Sequence, residues 1–306
     1  MALREFLRED LLALFNGRIE AVSASEDAYI YELKEYLKAS DNRIFLTLDL
    51  IKKYYHKGQG EILEFGSFPF FFSLSLLELS DDKVTGIVAP DNAWPGEPYS
   101  IDKNAVTIKA NGKIYPFTYW TVNVEKDRLP FADESFDFIL CAEVLEHLIH
   151  SPDKMVYEIN RVLKNNGLLI LTTPNGLFWQ YIYKLIFWGS WEPYAKYGAY
   201  SRHNRLWALN EINDFLRGNN FNILESICGY ARVKRFEIPK RDSVKLKDRI
   251  QDLFFFIFSL FFSLPIPFCR KKDGDQLYVV AKKAGPPKMY SPNYLYSINF
   301  SYNVEK

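Results

Sequence analysis

The sequence predicts an α/β protein built on a mostly parallel sheet with helices on both faces. Three observations carry this. From Glu61 onward, short apolar runs alternate with segments of helical period, as in "EILEF", "FFFSLSLLEL" and "KVTGIVA". The strand candidates are apolar almost throughout, the pattern of strands covered on both faces. Finally, "SPDKMVYEINRVLK" reads as a helix with its start marked. Ser151 is placed to cap it, Pro152 fits the first turn and Asp153 suits the positive end, while Met155, Ile159, Val162 and Leu163 form one stripe.

The remaining elements follow in order. Residues 1–57 are expected to be helical, from the apolar spacing in "LREFLREDLLALF" and "AYIYELKEYLKA", with Gly17 and Ser23–Ser25 between them. Residues 90–113, rich in Pro, Asn and Gly, read as irregular and lead into the strand-like "IYPFTYWTV". The turn Ala132–Ser135 launches a buried strand over 136–142, which runs into a helix-like "EVLEHL". Asn165-Asn166-Gly167 separates the capped helix from the strand "LLILTTPN". A helix over 210–217 stops at Gly218, the strand "FNILESICGY" follows, and "QLYVVAKK" comes after a long insertion. Sheets of this kind bind ligands outside the carboxyl ends of their strands. The chain near Gly66, Val88–Asp91 and Cys141–Glu143 is therefore expected to surround one crevice.

Composition narrows the function classes. The 306 residues are 48% hydrophobic and 25% charged, an ordinary balance for a globular protein with a large core. Lys plus Arg and Asp plus Glu are both 38, which gives no electrostatic footprint for nucleic acid. Cys141, Cys228 and Cys269 are too scattered for a disulfide framework or a zinc knuckle. "MALREFLRED" lacks the basic-then-apolar pattern of a signal peptide, so a cytoplasmic location is expected.

Four words, "ILEFG", "LPFADESFDFILCAEVLEHL", "EINRVLKNNGLLILTTPN" and "RHNRLWALNEINDFLRGNNF", occur in an order and spacing that resemble the class I S-adenosylmethionine (SAM)-dependent methyltransferases. The flavour is that of bacterial enzymes associated with surface-polysaccharide biosynthesis. The resemblance implies a Rossmann-like, seven-stranded, mostly parallel sheet flanked by helices, with an antiparallel last strand, N-terminal helices and an insertion before that strand. It divides the chain into an N-terminal segment 1–57, a methyltransferase-like domain 58–283 and a tail 284–306. It implies SAM as cofactor. The methionine part would lie against Glu64, Gly66, Ser67, Phe68 and Pro69 and the backbone at Cys141 and Ala142. The adenine would lie near Glu125, with Asp127 as the second match. Two positions depart from the family. Its G-x-G-x-G turn is here Gly66-Ser67-Phe68-Pro69-Phe70, and Val88 stands where an acid would hold the ribose, leaving Asp91 as the nearest substitute. Glu64 itself suits a cation such as an ammonium or sulfonium, the plain alternative being a solvated glutamate at a strand end.

Methylating a hydroxyl requires removal of its proton, by a general base or through a metal. Of the four histidines, His56 in "KYYHKGQG" reads as a surface residue and His150 as a local hydrogen-bond partner. On a helix starting at Glu143, residues 143, 146 and 147 would share one face. This resembles the E-x-x-E-H words of ubiquinone-pathway and small-RNA O-methyltransferases, in which the cluster is a metal site. His203 in "YSRHNRLW" matches the later histidine of the RNA enzymes. Glu143, His147 and His203 are thus the catalytic candidates, and Glu143, Glu146, His147 and His203 the candidates for a divalent metal. The alternative is a histidine packed beneath the substrate loop with no metal.

Two inserts complete the reading. Residues 177–200 hold ten aromatics in twenty-four positions, and 177–205 lies where a substrate lid is built; flat rings with polar handles suit a sugar, and equally a packed aromatic seam. In 231–272 a segment with eight Lys/Arg against three Asp/Glu precedes the uncharged run 253–268. A span needs roughly 20 apolar residues, so this insert suits peripheral contact with an anionic membrane surface, or a buried or oligomeric helix. The expected function is O-methylation of a saccharide or lipid-linked glycan at the inner membrane face. The alternatives are a catalytically silent binding or scaffold protein with a degenerate cofactor loop, and a quinone or lipid O-methyltransferase.

Overall fold

The structure, a computed structural model, describes residues 20–21, 42–56, 60–90, 99–110, 113–189, 203–230 and 274–288. Asp91, the whole of the insert 231–272 and the greater part of both termini lie outside the described residues, as does 190–202 of the expected lid.

A central core of seven strands agrees with the expected fold. The strands are β2 (Glu61–Phe65), β3 (Lys83–Val88), β5 (Lys113–Thr121), β6 (Phe136–Ala142), β7 (Leu163–Pro174), β8 (Phe221–Gly229) and β9 (Gln276–Lys283). They run in the order β5-β3-β2-β6-β7-β9-β8, and β9 alone among them is antiparallel to its neighbours. Two further strands correct the expectation. β4 (Asp102–Ala110) lies in the stretch read as irregular and forms an antiparallel hairpin with β5. β1 (Glu20–Ala21), in the segment read as helical, pairs with β4, so the sheet has nine strands.

Alternation along the strands divides the core into two. Ile62 of β2 and Phe138, Leu140 and Ala142 of β6 face one cluster. There they meet Ile44, Leu48 and Ile51 of helix α1 (42–54) and Phe71, Phe72, Leu74 and Leu76 of α2 (Phe71–Leu79). Leu63, Phe65, Ile139 and Cys141 face the other cluster, against Met155, Val156, Ile159 and Val162 of α3 (Asp153–Val162) and Ile212, Phe215 and Leu216 of α5 (Leu209–Gly218). Helix α4 (Trp179–Trp188) follows β7. Burial on both faces is why the strands read as continuous apolar runs. At the start of α3 the Ser151 hydroxyl accepts the Asp153 N–H at 3.4 Å, and the predicted stripe is buried. A buried arginine pins this helix. Arg161 donates to both oxygens of Glu158, to Asp133 and to the carbonyls of Leu129 and Phe131.

Among the described residues, the predicted helix "EVLEHL" does not form. Glu143 takes a left-handed backbone (φ 56), and only a single 3₁₀ turn follows, Leu145–His147.

Candidate active site

The parallel strands end together, and the sequence-predicted residues fall on the turns that leave them. After β2, Gly66 adopts φ 69, a region a side chain disfavours, and an added Cβ would come 2.6 Å from Val144 Cγ2. Ser67 folds back onto β3, its N–H and its hydroxyl both donating to the Ile87 carbonyl at 3.0 and 3.2 Å. Phe68 projects outward, 53% exposed, while Phe70 turns inward onto Phe117 and Tyr119. Pro69 is half-buried between them. The two phenylalanines that replace family glycines thus have different roles: Phe70 belongs to the core and Phe68 stands at the surface of the turn.

Glu64 is 2% exposed and accepts a hydrogen bond from the Ser73 hydroxyl. Burial pushes its carboxyl up to about 8, so the expected pairing with a cation would require it to lose a proton. Glu125 occupies the loop after β5, shaped by Asn123, whose Oδ1 accepts the Glu125 N–H at 3.1 Å. Its Oε1 accepts the His150 N–H at 2.5 Å, which gives His150 the local role expected of it. Its Oε2 is buried with no partner among the described residues. Cys141 points into the core and burial drives its thiol up, so it offers the crevice only backbone, next to the nearly buried Ala142. Val88 closes β3 with a half-buried side chain.

The E-x-x-E-H word divides. Because Glu143 is in the left-handed region rather than on a helix, its carboxylate turns away from the other two. It pairs with Arg43 of α1 at 2.5 Å, accepts from Thr172 Oγ1 at 2.9 Å, and lies within reach of the Gln276 amide. This removes it from the expected four-residue metal set. Glu146, His147 and His203 do gather: one donor atom from each lies within 4.8 Å of the others. The imidazoles are edge-to-face with centroids 5.1 Å apart, and His147 Nε2 is 3.8 Å from Glu146 Oε1. Glu146 is fully buried, its Oε2 accepts from Thr173 Oγ1, and burial with the nearby Glu143 charge raises its carboxyl well above the usual range. Asn204 fixes His203 beside His147. Its N–H donates to the Glu146 carbonyl at 2.7 Å and its side-chain amide to the His147 carbonyl at 2.9 Å.

Sequence reasoning missed Arg43 and Asn204. Arg43 had no local signal, because its partner lies a hundred positions along the chain; Asn204 lay inside "RHNRLW", where attention fell on the histidine.

Comparison with known proteins bears on this arrangement. Residues 92–171 match the methyltransferase domain family. The matched segment holds β4 to β6, α3 and most of β7, and with them Glu125, Glu143, Glu146 and His147. Over this stretch the chain is similar to the methyltransferase domain family, in line with the expectation of a methyltransferase. Among solved structures, a chain from the complex between the Haloferax volcanii Trm112 methyltransferase activator and a methyltransferase is similar at a TM-score of 0.51. It is 11% identical, and the match covers 86% of this chain and 100% of that one, a likeness of fold. A SAM-dependent methyltransferase from Archaeoglobus fulgidus gives 0.45 at 14% identity, over 83% of this chain and 100% of that one. An uncharacterized protein of Methanocaldococcus jannaschii is 49% identical over 47 residues, a match spanning 15% of this chain and 20% of that relative. Among the described residues no helix is long and apolar enough to cross a membrane.

Proposed function

We propose that the chain is a SAM-dependent methyltransferase that methylates a hydroxyl of a saccharide or lipid-linked glycan, working at the inner membrane face through the insert 231–272. The observation that carries the transfer chemistry is the pair His147–His203, 5.1 Å apart, backed by the buried Glu146 at the carboxyl ends of the strands.

The residues fit the cofactor. The Glu125 oxygen buried without a described partner is an acceptor suited to an exocyclic amine, and the Gly66–Pro69 turn presents backbone at the end of β2. When bound, SAM supplies an electrophilic methyl group on a sulfonium. Glu64, Gly66, Ser67, Phe68, Pro69, Glu125 and the Cys141–Ala142 backbone would hold it, with Asp91 beside the ribose. The protein's own contribution is to orient the acceptor and take its proton. His147 Nε2 or the His203 imidazole would take that proton, and Glu146, once ionised, would steady the imidazolium. Asn204 keeps both rings in place.

Calorimetric titration with SAM and its demethylated product tests the reading; absence of binding at millimolar ligand would leave a silent binding protein. His147→Ala and His203→Ala should each lower kcat by roughly 10²–10⁴-fold while leaving SAM affinity unchanged. Full activity in both would remove them from the chemistry.

A second reading has its own observation. Two imidazoles and one carboxylate within 4.8 Å form a donor set suited to a divalent transition metal. In that case Glu146, His147 and His203 would hold the ion, which would polarise the acceptor hydroxyl. Titration of the metal-free protein with Zn²⁺ and Mn²⁺ separates the two, since the general-base reading requires no ion.

A further inference from the structure

We propose that the cleft between the start of α4 and the loop leading into α5 seats an apolar chain, acyl or prenyl, carried by the methyl acceptor. The inference rests on the reading of His147 and His203 as the transfer centre, and deepens it by naming what lies beside that centre.

The cleft encloses about 340 Å³, at the lower end of the range for small-molecule sites. One wall is a stripe at helical spacing, Tyr181, Ile182 and Leu185, with Leu177 just ahead of it. The other wall is Leu206 and Trp207. Leu177 and Leu185 are 51% and 48% exposed, an unusual use of large apolar residues at the mouth of a cavity. The polar groups on the rim are already engaged. The Asn204 amide donates to the His147 carbonyl, while Arg205 lies over the Trp207 ring at 3.9 Å and pairs with Glu211. A sugar ring seated here would lose water from its hydroxyls against leucine and isoleucine, with little to replace it. A hydrocarbon chain loses nothing of the kind. The Trp207 indole N–H is buried with no acceptor among the described residues, so it adds no exposed polar group to this wall.

The cleft is tied to the histidines by covalent and hydrogen-bonded contact. Asn204, which lines it, follows His203 directly and bonds to the carbonyls of Glu146 and His147. An acceptor with its chain in the cleft would therefore present the group next to that chain toward the imidazoles.

The test uses n-alkyl β-D-glucosides, hexyl through decyl, below their micelle concentrations, titrated calorimetrically into the full chain. Each added methylene seated in the cleft should tighten Kd about fourfold. Leu185→Glu, at an exposed position where the fold tolerates change, should flatten this dependence. Ile186→Glu, exposed and off the cleft wall, should preserve it. Affinity that does not change from hexyl to decyl overturns the inference. So does a length dependence that survives Leu185→Glu, which would place the chain elsewhere. SAM titrated into the same samples separates the two claims. If SAM binds but chain length has no effect, only this inference falls; if chain length matters but SAM does not bind, the transferase reading falls and the cleft's ligand is no methyl acceptor.

Discussion

Glu64 lies at the end of β2 with 2% of its surface exposed, one hydrogen bond from Ser73, and a carboxyl that burial raises from 4.5 to about 8. A raised folded-state value means that the native chain holds this proton more tightly than the unfolded chain. Its contribution to stability is therefore complete below about pH 4.5 and drains away as pH rises toward 8. At about 1.4 kcal/mol per pH unit, the ceiling on that loss is about 5 kcal/mol. Glu64→Gln retains the shape and hydrogen-bonding capacity of the protonated acid and cannot titrate. Urea unfolding of both proteins between about pH 5 and 8 reads the difference directly. The glutamine form should match wild type near the acid end and exceed it by several kcal/mol at the alkaline end. Comparing the two cancels the contribution of Glu146, which burial shifts in the same direction. A difference that stays flat across the range would mean that Glu64 is ionised in the native protein, and the burial argument would fail.

Two other perturbations follow from the same geometry. Arg43→Met removes the cation from a nearly buried pair with Glu143, an operation that typically costs about 3–5 kcal/mol, and Arg43→Lys should restore part of it in the same unfolding assay. Gly86→Ala would bring a Cβ to 2.7 Å from the Phe117 ring and against the Ser67 hydroxyl. The cost should be about 1–3 kcal/mol, with weaker SAM binding because the Ser67 turn must shift; unchanged affinity would mean that the turn does not serve the cofactor.

How much was legible depended on how local the determinants were. Strands buried on both faces and the stripe of α3 are written in consecutive residues, and both were read correctly. β4 was not. Its "DKNAVTIKA" begins with three polar residues and lies toward the sheet edge, paired with β5 on one side and only Glu20–Ala21 on the other, so it lacks the apolar continuity of the central strands. The helix expected at Glu143 failed for a different reason. The i, i+3, i+4 pattern is present, but the left-handed backbone at Glu143 goes with contacts to Arg43 and Thr172 that are distant in sequence. Phe68 and Phe70 look alike in the sequence; only Phe117 and Tyr119, supplied by β5, draw Phe70 into the core.

The tie between α1 and Glu143 has a consequence for how the domain opens. Ile44, Leu48 and Ile51 share one core with the sheet, and Arg43, on the same helix, reaches the turn after β6. Fraying at the amino end would thus release the floor of the crevice and the helix together. Amide protons of 43–51 and of the 141–146 turn should exchange with one common opening free energy, as a single cooperative unit. A chain beginning at residue 58 would keep every histidine of the transfer centre and still lack the support that holds the turn beneath them.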